Sequence, residues 1–329
     1  MPRYIRNTVI LAETEITYAL DPTPTGADNA ILVSNVTINP LVSNNVDRDL
    51  VRPYFGGSEQ LVGSSYVEMT MDVEFQHSGT AGTAAKWDPL LQACGFAAGS
   101  SLLTPARVEH LLASDYSAMK SVTIYYHLDG ALHKLTGARG TFTVNMNVGE
   151  RPVMSFRFVG LDGGVTAAAN ASPTLTGFKT PLVVTDTNTG AVTLGCTYAT
   201  GALSSGTEYV SGGFEFDMGN QVEFIDLLGT ASAAGQSVDI TQRVMTGRIR
   251  LDLTASQEAT FHTNIKANTT QSVGVVHGTT AGFKMLVFLA NVQLINPSVE
   301  DVNGRMMLAY DMRVLPSTAG NDEIKIVGL

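Results

Sequence analysis

The chain has 329 residues, of which 44% are hydrophobic and only 15% charged, with 30 acidic against 20 basic side chains and a formal net charge of −10. Its length exceeds the usual ~100–200-residue domain and admits one large β domain or two ordinary ones, while so low a charged fraction points to extensive burial or to a surface that meets protein. Acidity without any run of Lys or Arg disfavours a protein that grips nucleic-acid phosphates, which needs clustered cations.

In chain order, "MPRYIRNTVILAETEITYAL" places Glu13 and Glu15 where a signal peptide would need an apolar core, so a secretory leader is not expected. No stretch reaches the ~18 apolar residues of a membrane helix, and no membrane anchoring is expected. Cys94 and Cys196 are too few for a disulfide framework, which suits folding in a reducing cytoplasm. The sequons at Asn35 and Asn268 are then incidental.

"SYVEMTMDVEF" alternates, with Val67, Met69, Met71, Val73 and Phe75 on one face and Glu68, Thr70, Asp72 and Glu74 on the other. That is the pattern of a half-buried antiparallel strand. "KWDPLLQACG" predicts a short helix with Asp88 as N-cap, Pro89 at the first helical position and Gly95 as the stop. "SVTIYYHLDGALHKL" predicts a hairpin turning at Asp129-Gly130. The next strand sets Phe142, Val144, Met146 and Val148 against Thr141, Thr143, Asn145 and Asn147, and its return sets Met154, Phe156 and Phe158 against Ser155 and Arg157.

A Gly/Ala/Thr-rich span, "LDGGVTAAANASPTLTG", reads as a seam, and residues 178–205 as opening strands of a second half. "GRIRLDLT" alternates again. It is followed by a helix, "TASQEATFHTNIKAN", capped by Thr254 or Ser256 with Phe261 and Ile265 on one face. "SVGVVHGTTAGFKML" repeats the strand-turn-strand unit, and "GRMMLAYDMRVL" follows the Asn303-Gly304 turn. Both halves thus read alternating strand, short helix, strand, turn, strand, turn, strand. The order implies a duplication, with units at 1–165 and 166–329. The alternative is one large sandwich whose hairpins resemble one another.

Catalytic signatures are sparse. The six histidines form no HExxH pair and the cysteines no CxxC, so neither zinc nor any other cofactor is expected. "GTAGTAAKW" lacks the Gly-Lys-Ser/Thr of a phosphate loop, and no G-x-S-x-G elbow occurs. Asp72 and Glu74, about 6.5–7 Å apart along one strand face, overlap the spacing of an inverting glycosidase pair. A cytosolic β-sandwich carbohydrate-active enzyme or binding module is therefore the alternative, though one tryptophan offers little sugar-stacking surface.

The stretch "LAETEITYALDPTPTGADNAILVSNVTINPL", continuing into "NVDRDLVRPYFGGSEQLVG", resembles the opening of the major tail tube proteins of long, non-contractile-tailed bacteriophages, with Ala19 where that family often has Gly. The resemblance continues through "WDPLLQACGF", "LHKLTGARGTF", "SFRFVGLDGG", "FKTPLVVTDTNTG" and "SVDITQRVMTGRIRLDLTA" to "VQLINPSVEDVNGRM", nearly the whole chain.

The resemblance implies a mainly β protein of two tandem tail-tube-like sandwich or barrel domains, each with a short flanking helix. It implies a non-enzymatic virion subunit, assembled in the host bacterial cytoplasm, whose sheets join neighbours around a channel. With two copies per chain, three chains would give a pseudo-sixfold ring. Its implied partners are other copies of itself, a tape-measure protein, a tail terminator and distal tail proteins, with DNA passing through unbound. The polar strand faces are the expected lumen: Glu68, Asp72, Glu74, Thr143, Asn145, Asn147, Asp252, Asn291 and Asp311. Arg248, Arg250 and Arg313 either pair with carboxylates there or place their strands elsewhere. The loops Asn44–Gly63 and Gly229–Thr246 are the expected ring-to-ring contacts, through Asp47, Arg48, Asp49, Arg52, Tyr54, Phe55, Asp239 and Arg243.

Overall fold

The computed structural model describes residues 2–101, 103–228 and 235–329, and the fold is mainly β. The first half runs β1 (Thr8–Thr14), β2 (Ala30–Ile31), β3 (Ser34–Asp47), β4 (Gln60–Glu74), α1 (Asp88–Ala93), β5 (Val108–Leu111), β6 (Val122–Leu128), β7 (Ala131–Asn147) and β8 (Val153–Ala167). After a coil come β9 (Val192–Leu194), β10 (Thr197–Ala199), β11 (Ala202–Ser204), β12 (Thr207–Tyr209), β13 (Ser211–Asp217), β14 (Asn220–Asp226), β15 (Gln236–Arg243) and β16 (Thr246–Leu251). The chain ends with α2 (Ala255–Lys266), β17 (Thr270–His277), β18 (Met285–Val302), β19 (Arg305–Val314) and β20 (Ile324–Gly328).

Pairing follows one order in each half. In the first, strands lie β3-β4-β8-β7-β6-β1; in the second, β13-β16-β19-β18-β17-β9, antiparallel throughout. β7 and β18 are long enough to belong to two layers, pairing with β6 or β17 near their starts and continuing beyond them along β8 or β19. The halves are joined twice: β13 pairs with the far end of β7, and β20 pairs with both β18 and β5. A boundary at 165 would cut the last residues of β8, which runs to Ala167.

Alternation places the core. Met69 and Met71 of β4, Phe156 and Phe158 of β8 and Phe142 of β7 lie at or below 2% exposure in one cluster that also holds Phe216, Ile249, Leu308 and Tyr310 of the second half. Burying each large apolar side chain contributes about 1.5–3 kcal/mol. β6 and the start of β18 instead show no alternation of burial and are buried on both faces, because a further layer covers them. Ala171 and Leu175 of the coil cover Leu11 and Tyr125, and Leu203 of β11 covers Leu286 and Phe288.

Both predicted hairpin turns form, with left-handed pairs at Asp129-Gly130 (φ 41° and 88°) and Asn303-Gly304 (φ 54° and 82°). α1 is capped at Trp87 rather than Asp88. The Asp88 carboxylate instead accepts from Gln92 Nε2 (2.7 Å) and the Gly99 amide (3.0 Å) and meets His110 Nδ1 at 2.8 Å. α2 is capped by Thr254, in a reciprocal box with Gln257. Residues 178–191 are mainly coil rather than strands, and regular pairing resumes at β9.

Candidate assembly and channel surface

Because β13 joins β7, the two halves share one continuous antiparallel sheet, β3-β4-β8-β7-β13-β16-β19-β18. One face of it builds the core. The opposite face carries the alternating polar residues and holds an open depression lined by Thr143, Asn145, Glu215, Asp217, Arg248 and Asp311.

Charges on this face are paired across strands. Arg157 donates to Glu68 (2.7 Å), Arg151 to Glu74 (2.7 Å) and the Asn35 amide to Asp72 (2.7 Å). In the second half Arg248 reaches Asp311 (3.3 Å) and Glu300 (2.7 Å), and Arg250 reaches Glu300 (2.8 Å). Arg250 also donates to the Asn147 side chain at 2.7 Å, spanning β13 from the second half to the first. Hydrogen bonding from Arg248, reinforced by Arg250, holds the Glu300 carboxyl below its usual range, and the same contact raises the Arg248 guanidinium. Arg248 and Arg250 thus pair with carboxylates on this face of the sheet. Arg313 borders the same depression.

The expected lumen residues are partly gathered here. Glu68, Asp72, Glu74, Thr143, Asn145, Asn147 and Asp311 lie on strands of the shared sheet. Asp252 lies just beyond β16, held by Arg305. Asn291 sits where β18 changes partner from β20 to β19, and its backbone carbonyl accepts from the Leu315 amide. Asp72 and Glu74 do share a strand face, but the single tryptophan is far from serving a sugar site: Trp87 is 1% exposed, with its indole N–H bonded to the Gln76 carbonyl at 2.8 Å.

The two expected contact loops differ. Asn44–Gly63 is largely an extension of the β3–β4 hairpin, since Asn45, Val46 and Asp47 pair with Val62, Leu61 and Gln60. Its tip is cross-linked by Arg48 and Arg52 on Glu59, the Asp47 carboxylate accepts from Gln60, and Asp49 is exposed. Val51, Tyr54 and Phe55 stand out in solvent there. In the other loop, residues 229–234 lie outside the described residues, and 236–243 is strand β15. Asp239 and Arg243 are engaged within the chain, with Arg139 and with Glu323 (2.9 Å) respectively.

The β14–β15 hairpin folds back over the first half, where Val222, Val238 and Ile240 bury against Val159 and Leu161 and Phe224 stacks on Tyr66 with centroids 5.1 Å apart. Tyr18 fixes it by accepting from the Val238 amide at 2.6 Å. Beneath Tyr18 lies Glu15, 2% exposed. Its carboxylate accepts from Ser121 (2.5 Å), Thr123 (2.6 Å) and the amides of Gly137 and Ala19 (both 2.7 Å). Gly137 is required here: its φ is +59°, and a Cβ would lie 2.8 Å from the Tyr18 ring.

A family model described as phage tail tube protein matches residues 6–320. The chain belongs to the phage tail tube protein family. No curated protein matches it. Sequence patterning missed Glu215 and Asp217 of the shared face, although "FEFD" alternates just as β4 does. It also missed Glu300 and the Glu15 site: Glu300 follows Asn296 and Pro297, which break the alternation, and Glu15 becomes buried only through partners more than 100 residues away.

Proposed function

We propose that the chain is the repeating subunit of a hollow tail tube, built from two tandem copies of one β-sandwich unit, residues 1–165 and 166–329, so that three chains complete a pseudo-sixfold ring. The observation that carries this reading is the junction of β13 with β7. A unit that already adds its second half edge to edge onto its first has the geometry to add further copies the same way. The equal pairing order of the halves supports treating them as repeats.

A ring closed in this manner covers its sheet edges, which otherwise invite uncontrolled pairing. Stacking of rings head to tail is heterologous and does not close, which a filament requires. The exposed tip of the β3–β4 hairpin, with Tyr54 and Phe55, is the candidate stacking contact. The polar face lines the channel. Its carboxylates repel phosphate, and its arginines Arg157, Arg248 and Arg250 are already held by Glu68, Asp311 and Glu300, so passing DNA meets little counterion-release affinity. The tube belongs to the virion tail, assembles in the host bacterial cytoplasm, and meets a tape-measure protein inside and terminator and distal proteins at its ends.

Electron microscopy of the purified protein at rising concentration, with end-on views classified for symmetry, tests the reading. Hollow rings of three chains are expected. Rings of six whole chains would keep the tube and overturn the duplication-based stoichiometry; particles that never stack, even when seeded with tail tips, would overturn the tube. For the lumen, Asp72→Lys with Glu74→Lys is expected to impair DNA delivery by otherwise intact particles, and normal delivery would remove those residues from the channel wall.

A further inference from the structure

Resting on the ring reading, we infer that subunits join by antiparallel pairing of β3 of one chain with residues Ser298–Val302 of β18 in the next. The proposed register is Asn35 opposite Val302, Val36 opposite Asp301, Thr37 opposite Glu300, Ile38 opposite Val299 and Asn39 opposite Ser298.

The two strands are free on the required sides. Val292 and Gln293 each pair with β17 and with β19, so those neighbours flank β18 on opposite edges. Beyond Gln293 the β17 edge has no strand among the described residues, while β19 continues on the other edge to Val302. The same holds for β3, whose strand partner is β4 alone. Within the chain, the equivalent sites are filled by each other. Val144 of β7 pairs with Met154 of β8 on one edge and with Phe216 of β13 on the other.

The register follows from matching the halves at their core pairs. Phe156 faces Met71 as Tyr310 faces Ile249, which equates β8 with β19 and β4 with β16. Met154 then equals Leu308, and their partners Val144 and Val299 become equivalent. On the other strand, Phe216 faces Gly247 and Ile38 faces Met69, which makes Phe216 and Ile38 equivalent. The intrachain pair Phe216–Val144 therefore translates into Ile38–Val299 between chains.

Burial agrees. Val144, with β13 beside it, is 1% exposed, whereas Val299 in the same position is 66% exposed. An apolar side chain bared beside an unpaired strand edge marks a pairing surface. Local backbone agrees too, since the bulge of β13 between Ser211 and Gly213 has its counterpart in the bulge of β3 between Ser34 and Thr37.

The test is a cysteine pair, Ile38→Cys with Val299→Cys, in the full chain. Cys94 and Cys196 are buried free thiols, so mild oxidation of the wild type serves as background. The double variant is expected to give interchain disulfides that end in a closed covalent three-chain species, while each single variant and the out-of-register pair Ile38→Cys with Asp301→Cys give far less. Hollow tubes that form without the in-register cross-link would overturn this pairing and leave the tube reading intact; absence of tubes from the wild type, even when seeded with tail tips, would overturn both. Because the cysteines could perturb folding, Val299→Lys provides a second test. It changes a side chain exposed in the single chain, so the unfolding midpoint should stay put while tube formation drops at least tenfold. Wild-type tube yield from Val299→Lys would reject the interface.

Discussion

Arg248 and Glu300 meet at 2.7 Å although β19 runs between their strands. The pair bridges β16 to β18 over an intervening strand, and Arg250 does the same toward Asn147 over β13. The polar face is thus stitched across strands as well as along them.

Glu300→Gln removes the carboxylate that both arginines share. The Arg248 and Glu300 side chains are about a third exposed (33% and 30%), so solvent screens the pair and its contribution is about 0.2–1 kcal/mol. The Glu300 carboxyl is depressed from its ordinary 4.5, chiefly by the Arg248 hydrogen bond. Its stabilisation is therefore present above pH 4.5 and disappears as pH falls through the folded value. Urea titrations should show wild type ahead of the variant at neutral pH and the gap closing in acid; an unchanged gap in acid would mean the effect is not ionic.

His77 titrates with the opposite chemistry and the same direction. Burial, and then the nearby His110, hold it at about 4 instead of 6.5, so the folded state keeps it neutral while the unfolded state takes up a proton between those values. Stability should fall as pH drops from 6.5 to about 4, by roughly 3 kcal/mol at most from this group, and the loss is complete below. The ring lies against Gly328 of β20, where an added Cβ would sit 2.5 Å from Nδ1. His77→Phe should flatten that limb of the stability curve. If the limb keeps its slope, it belongs to His127, His133 and His277, which burial also lowers.

Glu15→Ala strips the acceptor from two hydroxyls and two amides. Leaving buried donors without a partner costs about 1–3 kcal/mol. Chemical denaturation measures the loss, and hydrogen exchange should find the β14–β15 hairpin loosened first, because Tyr18 holds it at Val238. A variant as stable as wild type would show that water replaces the carboxylate.

Ala19→Gly should raise stability. Ala19 has φ +58°, a left-handed conformation that costs an L-residue about 1–2 kcal/mol, against roughly 0.5–1 kcal/mol of extra chain entropy lost by glycine. The expected net gain is under about 1.5 kcal/mol, read as a higher thermal midpoint; a fall would mean the Ala19 methyl contributes to packing beside Phe224 and Val238.

Local patterns were legible to the extent that they are local. The alternation of β4, the two Gly-containing turns, a cap at Thr254 or Ser256 and the two strand-turn-strand units were all readable from adjacent residues. Asp88 misled because its carboxylate serves His110 and Gly99 instead of capping. Asp239 and Arg243 looked like an exposed loop since nothing near them in sequence announces Arg139 or Glu323. The polar face was half legible: its strands carry the period, but the partner of each charge lies up to 103 residues away, as Arg250 and Asn147 do.

The β13–β7 pairing has a kinetic side. Its two strands belong to one chain, with residues 148–210 between them, so they meet at an effective concentration set by the intervening chain, independent of how much protein the cell has made. If the proposed β3–β18 seam forms only by diffusion, every second seam of the proposed ring is zipped before encounter begins. Dilution would then open alternate seams first, and the smallest species released from a dissolving tube would be the intact single chain with its own inner seam still closed.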